Sequence, residues 1–487
     1  MRILAIDQGT SSTKAVLWDQ DGAVVARASR PLASSYPQDG WAEQDANALW
    51  DSVRDAITDI VAQTGAEGIA GLAIANQRET LVAWDAETGR PVAPAILWQD
   101  RRGAALCVAL LGQGHGPAIE AATGLAANPL LTAAKLGWLL AHHDGARGLA
   151  QAGRLRAGTV DVWLLWRLTD GATFATDHGN ASRTQLFDTA RLAWSEELCA
   201  LWGVPSTCLP EPRPSDGLFG DLAATTALPA GLPILSVMGD SHAALYGHGV
   251  RAPGAVKATF GTGSSLMTLS GSRVASTNGL ASTVAWSTQQ GGPAYALEGN
   301  ITVSAQAAAW TAGFLGLPDA AALFRLAGEV DSSEGVTFVP ALAGLGAPHW
   351  DEAARGTITG LSLASRPAHL ARATLEAIAL QVADVFEAME RDVGHRLDAL
   401  RADGGASSSD LLMQIEADLL DRPVTRGVVA EVGALGAAAM AFEALGQPMA
   451  AAAQKDKGRA FRPRMDLDRR ETIRSDWREA LRHLTGR

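Results

Sequence analysis

One plan of residues occurs twice in this chain and limits its fold more than any other feature. Residues 5–19 read AIDQGTSSTKAVLWD, and residues 256–271 read VKATFGTGSSLMTLSG. Each is an apolar strand, a Gly-Thr turn followed by serines, and a second apolar strand. One such hairpin is ordinary turn chemistry, since Gly supplies backbone freedom and the hydroxyls satisfy the turn. Two of them, one opening each half, predict a duplicated domain pair with a ligand shared between the copies. At 487 residues the chain is also too long for one compact core. The pattern breaks at GHGVRAPG, residues 247–254, so the expected domains are 1–247 and 248–487.

Between the hairpins, strand and helix patterns alternate, which predicts an α/β fold of mixed sheets flanked by helices. ANALWDSVRDAITDIVAQT carries an amphipathic helical period, and PAIEAATG, TAAKLGWLLAHH and SEELCALWG read as further helices. In the second half a long helix is expected from Pro367 to Glu390. A strand, a double-Gly turn and a helix follow in LRADGGASSSDLLMQIEADLL. The charged tail from Lys455 ends in a docked helix at IRSDWREALRHL.

The formal charge of -12 argues against a nucleic-acid partner, which needs a basic surface. Cys107, Cys199 and Cys208 have neither a paired framework nor metal-ligand spacing, so a reducing compartment is expected. No apolar run approaches the roughly 20 residues of a membrane span, and MRILAIDQGT is too short to be a signal peptide. The expected location is the cytoplasm, with no membrane partner.

The Gly-Thr turns admit a second reading, as cradles for phosphate. Neither is a Walker loop, because the Gly-Lys-Ser/Thr ending is missing, and GTGSSL does not complete G-x-G-x-x-G. Phosphoryl transfer needs a cradle, a magnesium site and an acid at the attacking hydroxyl. Gly9, Thr10 and Ser11, with Gly261, Thr262 and Gly263, supply two cradles. Asp7 can hold a hydrated magnesium ion, which takes one or two carboxylates and several waters. Asp240, delivered by PILSVMGD to the start of a helix, is either a cap or a general base.

Arg78 and Glu79, leaving the strand GLAIANQRE, are either a solvated strand end or a donor–acceptor pair for neighbouring hydroxyls. Trp98 is a core indole or a surface for a substrate's carbon skeleton. The turn Gly404, Gly405, Ala406 presents N–H groups that suit a phosphate or ribose, or is a plain connection. His242 reads as a helix-surface or internally satisfied histidine, and no G-x-S-x-G signature is present.

Taken together, IDQGTSSTKAVLWD, ANQRETLVAWDAETGRPVAPAILWQDRR, GTVDVWLLWRLT, TDHGNASRT, YALEG, ARGTITGLSLASRPAHLARATLEAIALQ and LRADGGASSSDLLMQ resemble the FGGY carbohydrate kinases, and within them the glycerol kinases, from residue 3 to about residue 445. The resemblance implies two actin-like domains with ribonuclease-H-like cores, using ATP and Mg²⁺ on a small polyol or sugar. It implies Asp240 as catalytic base, and Asp7 with Asp240 at the metal. Thr10, Ser11 and Lys14 fall in the first phosphate segment and Thr262 and Gly263 in the second. Gly404, Gly405 and Ala406 fall in the adenosine turn. Arg78, Glu79 and Trp98 stand where the glycerol kinases hold glycerol.

Three positions depart from that pattern. Leu130 stands where those kinases usually carry Tyr, Ser241 where they carry Gln, and Ser265 where they carry Phe. Smaller side chains imply a wider pocket, open to a longer acceptor. The basic Gly-rich loop that binds a feedback inhibitor in some glycerol kinases is absent from PAGLPILSVMGD. Glycerol is the first expected acceptor and a four- or five-carbon polyol or ketose the second. An actin- or chaperone-like ATPase is a third reading, weakened because the tail is too short for a peptide-binding domain. A homodimer or homotetramer is compatible with the sequence.

Overall fold

The computed structural model describes residues 1–450 and 458–486; Lys455, where the charged tail was expected to begin, lies outside them. The first hairpin forms as its pattern predicts. Strands β1 (Arg2–Gln8) and β2 (Ser12–Asp19) run antiparallel with Asp7 opposite Lys14, and β3 (Val24–Pro31) continues the meander. On its other side β1 pairs in parallel with β4 (Ile69–Asn76), which pairs in parallel with β5 (Ile234–Gly239). The order is β5-β4-β1-β2-β3. Near-continuous apolar runs such as Ile3–Ile6 and Leu72–Ala75 are fully buried, as strands covered on both faces must be.

One cover is the Ala46–Thr64 helix, whose start is capped by the Asp45 side chain accepting the Asn47 N–H. Its stripe Leu49, Val53, Ile57 and Ile60 shares a core with Leu4, Ile6 and Leu17. Another helix, Val432–Ala444, packs on β1, β4, β5 and the Asp240–Gly247 helix. Gly436 permits that approach, because a Cβ there would lie 1.8 Å from the Ala243 carbonyl oxygen.

Two compact units result. The first holds Met1–Gly249, Ser282–Ala296 and the described residues of Glu431–Lys455; the second holds Val250–Ala281, Leu297–Ala430 and the described residues of Asp456–Arg487. Two segments expected in 248–487 thus belong to the first unit. For the second of them the reason is the Val432–Ala444 helix, whose small apolar residues find their partners on the first sheet.

The second unit repeats the first one's plan. Strand β6 (Ala255–Phe260) is antiparallel to β7 (Ser264–Leu269) and parallel to β8 (Ala399–Asp403). With β9 (Val424–Arg426) and β10 (Arg459–Phe461) they form the run β7-β6-β8-β9-β10 within a seven-stranded sheet. The long helix is present at Pro367–Val393 and ends at Gly394 in the left-handed region. Its residues Leu375, Ile378 and Val382 share a core with Val256, Phe260 and Leu400. The C-terminal helix spans Leu467–Thr485 and buries Trp477 and Leu481 in the same core. All three cysteines are buried and unpaired. Among the described residues no helix is long and apolar enough to cross a membrane.

Candidate active site

Three parallel strands of the first unit deliver their carboxyl ends side by side. Asp7 stands near the end of β1 opposite Ala75, and Gly239 at the end of β5 stands opposite Asn76 at the end of β4. Asp240 and the Gln77–Arg78–Glu79 segment therefore emerge at one edge, where open α/β sheets commonly bind ligands.

Arg78 is not a solvated strand end. It is 8% exposed, with Nε 3.3 Å from Asp240 Oδ1. Gly239 makes room for it, because a Cβ there would lie 2.7 Å from Arg78 Cγ and Cδ. His242 is fully buried behind the pair, its Nε2 3.4 Å from Arg78 Nη1, so it is a core histidine and not a surface one.

Asp240 is the first residue of its helix, and the N-cap position belongs to Gly239, which has no side chain to cap with. Its carboxylate accepts the Ser241 N–H at 2.6 Å, and its side chain keeps 43% exposure. A charged acceptor is thus held by a buried guanidinium and presented to solvent. Ser241 beside it is partly exposed.

Asp7 is crowded by negative charge. Burial first, and then the charge of Asp240, hold its carboxyl up at about 6; Lys14 pulls it down and Glu431 pushes it up. A Cβ at Gly433 would lie 3.6 Å from both Asp7 Oδ2 and the Asp240 carbonyl oxygen. Lys14 is exposed on β2 across from Asp7, and Ser11 is exposed in the turn. Among the described residues no group of three or more His, Cys, Asp or Glu could hold a metal. A buried carboxylate held up in pKa beside a partly exposed one does fit a hydrated Mg²⁺, which takes few protein ligands.

The first turn is closed by the Gly9 N–H on the Ser12 carbonyl at 3.0 Å. Thr10 is held from behind: its hydroxyl accepts Trp98 Nε1 at 3.0 Å and donates to Gln77 Oε1 at 3.3 Å. Trp98 is 42% exposed, so it is no core indole. Its backbone N–H donates to Thr80 Oγ1, and that hydroxyl donates to Gln77 Oε1. Gln77 and Thr80 were not singled out from the sequence, although a polar run directly after a buried strand was the available signal.

Glu79 has φ +62°, a left-handed conformation unusual for this residue type. Its carboxylate accepts Arg183 Nε at 2.6 Å, and its carbonyl accepts Lys135 Nζ at 3.0 Å and Thr132 Oγ1 at 3.1 Å. Leu130 is half-buried just before the Thr132–His142 helix that carries Lys135 and Thr132, with its N–H on Asn128. Arg183 and Lys135 were also missed; a lone Lys in the apolar helix TAAKLGWLL was the clue for the second.

The second unit holds the remaining residues. The Gly261 N–H closes its turn on the Gly263 carbonyl at 2.9 Å. The Thr262 carbonyl accepts the Ser304 and Gln306 N–H groups at the start of the Ala305–Phe314 helix. The turn therefore sits on a helix N-terminus, with the Thr262 side chain exposed. Gly263 is needed there, since a Cβ would lie 2.4 Å from the Ile301 carbonyl oxygen. Ser265, on β7, donates to Glu298 Oε1 at 3.1 Å. Gly404 has φ +88° and backs onto Phe260, whose carbonyl oxygen a Cβ would meet at 2.6 Å, while a Cβ at Gly405 would face open space. Ala406 is buried beneath the turn. The following helix, Asp410–Leu420, starts only after a 3₁₀ turn and is capped by Ser409.

Two α/β units with matching strand–turn–strand openings, and acids at the strand ends, are the plan of a sugar-kinase structure to which this chain is similar along its length. Residues 2–247 match the N-terminal domain model of the FGGY family of carbohydrate kinases and residues 256–445 match its C-terminal domain model. The chain is 48% identical over 446 residues to an apulose kinase of Pectobacterium atrosepticum, covering 91% of this chain and 90% of that one. It is 45% identical over 489 residues to a glycerol kinase of Geobacter sp. strain M21, covering 99% of both. The crystal structure of Plasmodium falciparum glycerol kinase with ADP superposes with a TM-score of 0.95 at 29% identity, covering 99% of this chain and 98% of that one. The chain belongs to the FGGY family of carbohydrate kinases, and is an ATP-dependent phosphotransferase.

Proposed function

We propose that this kinase transfers the γ-phosphoryl group of ATP to a primary hydroxyl of a small polyol or ketose, with Asp240 as general base. The observation that carries this reading is the Arg78–Asp240 pair at adjoining strand ends. Arg78 holds and aims the Asp240 carboxylate, whose side chain keeps 43% exposure, and a carboxylate so placed can take the acceptor's proton. As the acceptor oxygen bonds to phosphorus, its proton would pass to Asp240 and ADP would leave. Arg78, Glu79 and Trp98 would hold the acceptor. Thr10, Ser11 and Lys14, with Thr262 and Gly263, would hold the phosphates, and the turn Gly404, Gly405, Ala406 the adenosine. Asp7, together with Asp240, would hold Mg²⁺; when bound, the ion neutralises phosphate charge. Free buried cysteines agree with a cytoplasmic setting.

Two acceptors are in view. Glycerol is the first, supported by the full-length similarity to a glycerol kinase. A four- or five-carbon polyol or ketose is the second, favoured by Leu130, Ser241 and Ser265 and by the similarity to an apulose kinase. Two extra hydrogen bonds at about 0.5–1.5 kcal/mol each would favour a longer acceptor by roughly tenfold. ADP release with glycerol, erythritol, xylulose and apulose ranks them. The triple variant Leu130→Tyr, Ser241→Gln, Ser265→Phe should move kcat/KM toward glycerol. A wild type that prefers glycerol, with a triple variant of unchanged ranking, rules out the longer acceptor.

A further inference from the structure

Lys135 is an unusual residue to find in a core. It is fully buried in the Thr132–His142 helix, among Ala133, Ala134 and Leu136, all equally buried. Burying an ammonium is costly unless something compensates it. Its Nζ donates at 3.0 Å to the backbone carbonyl of Glu79, where Thr132 Oγ1 also donates at 3.1 Å. A helix that needed only apolar packing would place Met or Leu there. The carbonyl it reaches belongs to the one residue of the Gln77–Thr80 segment with positive φ, +62° at Glu79. A left-handed glutamate stores strain, which persists only where surrounding contacts over-determine it. Here they do: two donors orient the carbonyl, and Arg183 Nε orients the carboxylate at 2.6 Å.

We propose that Lys135 is a positioning residue for the acceptor site, fixing the backbone of Glu79 so that its carboxylate faces the acceptor's hydroxyls. This rests on the reading of Glu79 as an acceptor contact. It concerns acceptor binding and not phosphoryl transfer, because Lys135 reaches Glu79 and no reacting atom.

The ammonium is also poised to titrate. Burial lowers it from its usual range to about 7, Glu79 and Asp100 work to raise it, and Arg102 lowers it further. Asp100 is itself buried and paired with Arg102 at 2.8 Å, and Arg183 is engaged with Glu79. As pH rises through 7, Lys135 loses its charge and its hold on the carbonyl weakens. Acceptor KM should therefore increase with pH.

Lys135→Met, Thr132→Val and Glu79→Gln, assayed in the full-length enzyme on the best acceptor of the panel, test this. Lys135→Met should raise acceptor KM roughly tenfold, as loss of a charged hydrogen bond does, with ATP KM within about twofold. It should also abolish the rise of acceptor KM between pH 6 and 8. Thr132→Val should raise acceptor KM roughly threefold, and it serves as the readout if Lys135→Met does not fold. Equal losses in acceptor KM, ATP KM and kcat, or an unchanged pH profile in Lys135→Met, overturn the proposal. If Glu79→Gln weakens acceptor binding while Lys135→Met and Thr132→Val do not, only the positioning role fails. If Glu79→Gln leaves acceptor KM unchanged, the assignment of Glu79 fails, and the positioning role with it.

Discussion

The Nε of Arg78 and Oδ1 of Asp240 are 3.3 Å apart, a buried guanidinium against a carboxylate that keeps 43% exposure. The asymmetry matters. Arg78 has surrendered its solvent and holds its charge in place, while Asp240 stays partly exposed at the strand ends.

Replacing that carboxylate should separate chemistry from binding. Asp240→Asn keeps the shape and removes the proton acceptor, so kcat should fall roughly 10²–10⁴-fold. ADP should still bind in calorimetry without Mg²⁺, with an affinity near wild type. Turnover close to wild type in the folded variant would reduce Asp240 to a helix-start residue.

Two glycines of the Val432–Ala444 helix should respond in opposite ways. A Cβ at Gly436 would stand 1.8 Å from the Ala243 carbonyl, so Gly436→Ala must push two helices apart. We expect a loss of about 3 kcal/mol or more in urea unfolding. At Gly433 the nearest atoms are 3.6 Å away, and they are the Asp7 carboxylate and the Asp240 carbonyl. Gly433→Ala should hold stability within about 1 kcal/mol yet lower kcat, since its methyl enters the acidic edge. Equal stability of the two variants would contradict this packing.

Asp161 should tie stability to pH. It is fully buried, accepting hydroxyls from Thr159 at 2.5 Å and Thr176 at 2.6 Å. Burial, and then the charge of Asp177, push it up from 3.8 to about 7. Between those values the folded chain keeps a proton that the unfolded chain has lost. Stability from this group is therefore full below pH 4 and declines as pH rises to 7, by up to about 1.4 kcal/mol per unit. Asp161→Asn lacks this loss. Its Tm should gain on wild type as pH is raised from 5 to 7.5, and a constant gap would refute the shift.

Much of this molecule was legible in one dimension. Both hairpins, the Ala46–Thr64 and Pro367–Val393 helices and the duplicated plan follow from turn residues and from periods of 2 and 3.6, which are local properties of a chain. The acids Asp7 and Asp240 were legible for the same reason, since each ends an apolar strand. The tertiary structure alone decided what those local patterns touch. Whether Arg78 met water or Asp240, and whether Trp98 entered the core or capped Thr10, depended on residues far away in sequence. So did the return of Val432–Ala444 to the first sheet, which required a surface narrow enough for Gly436 to meet Ala243. Lys135 shows the limit most sharply: a lone Lys in an apolar helix marks the residue, but its partner is a backbone oxygen, which carries no side-chain signature. Burial and long-range hydrogen bonds arise from where the chain closes on itself, and no spacing along the chain encodes that closure.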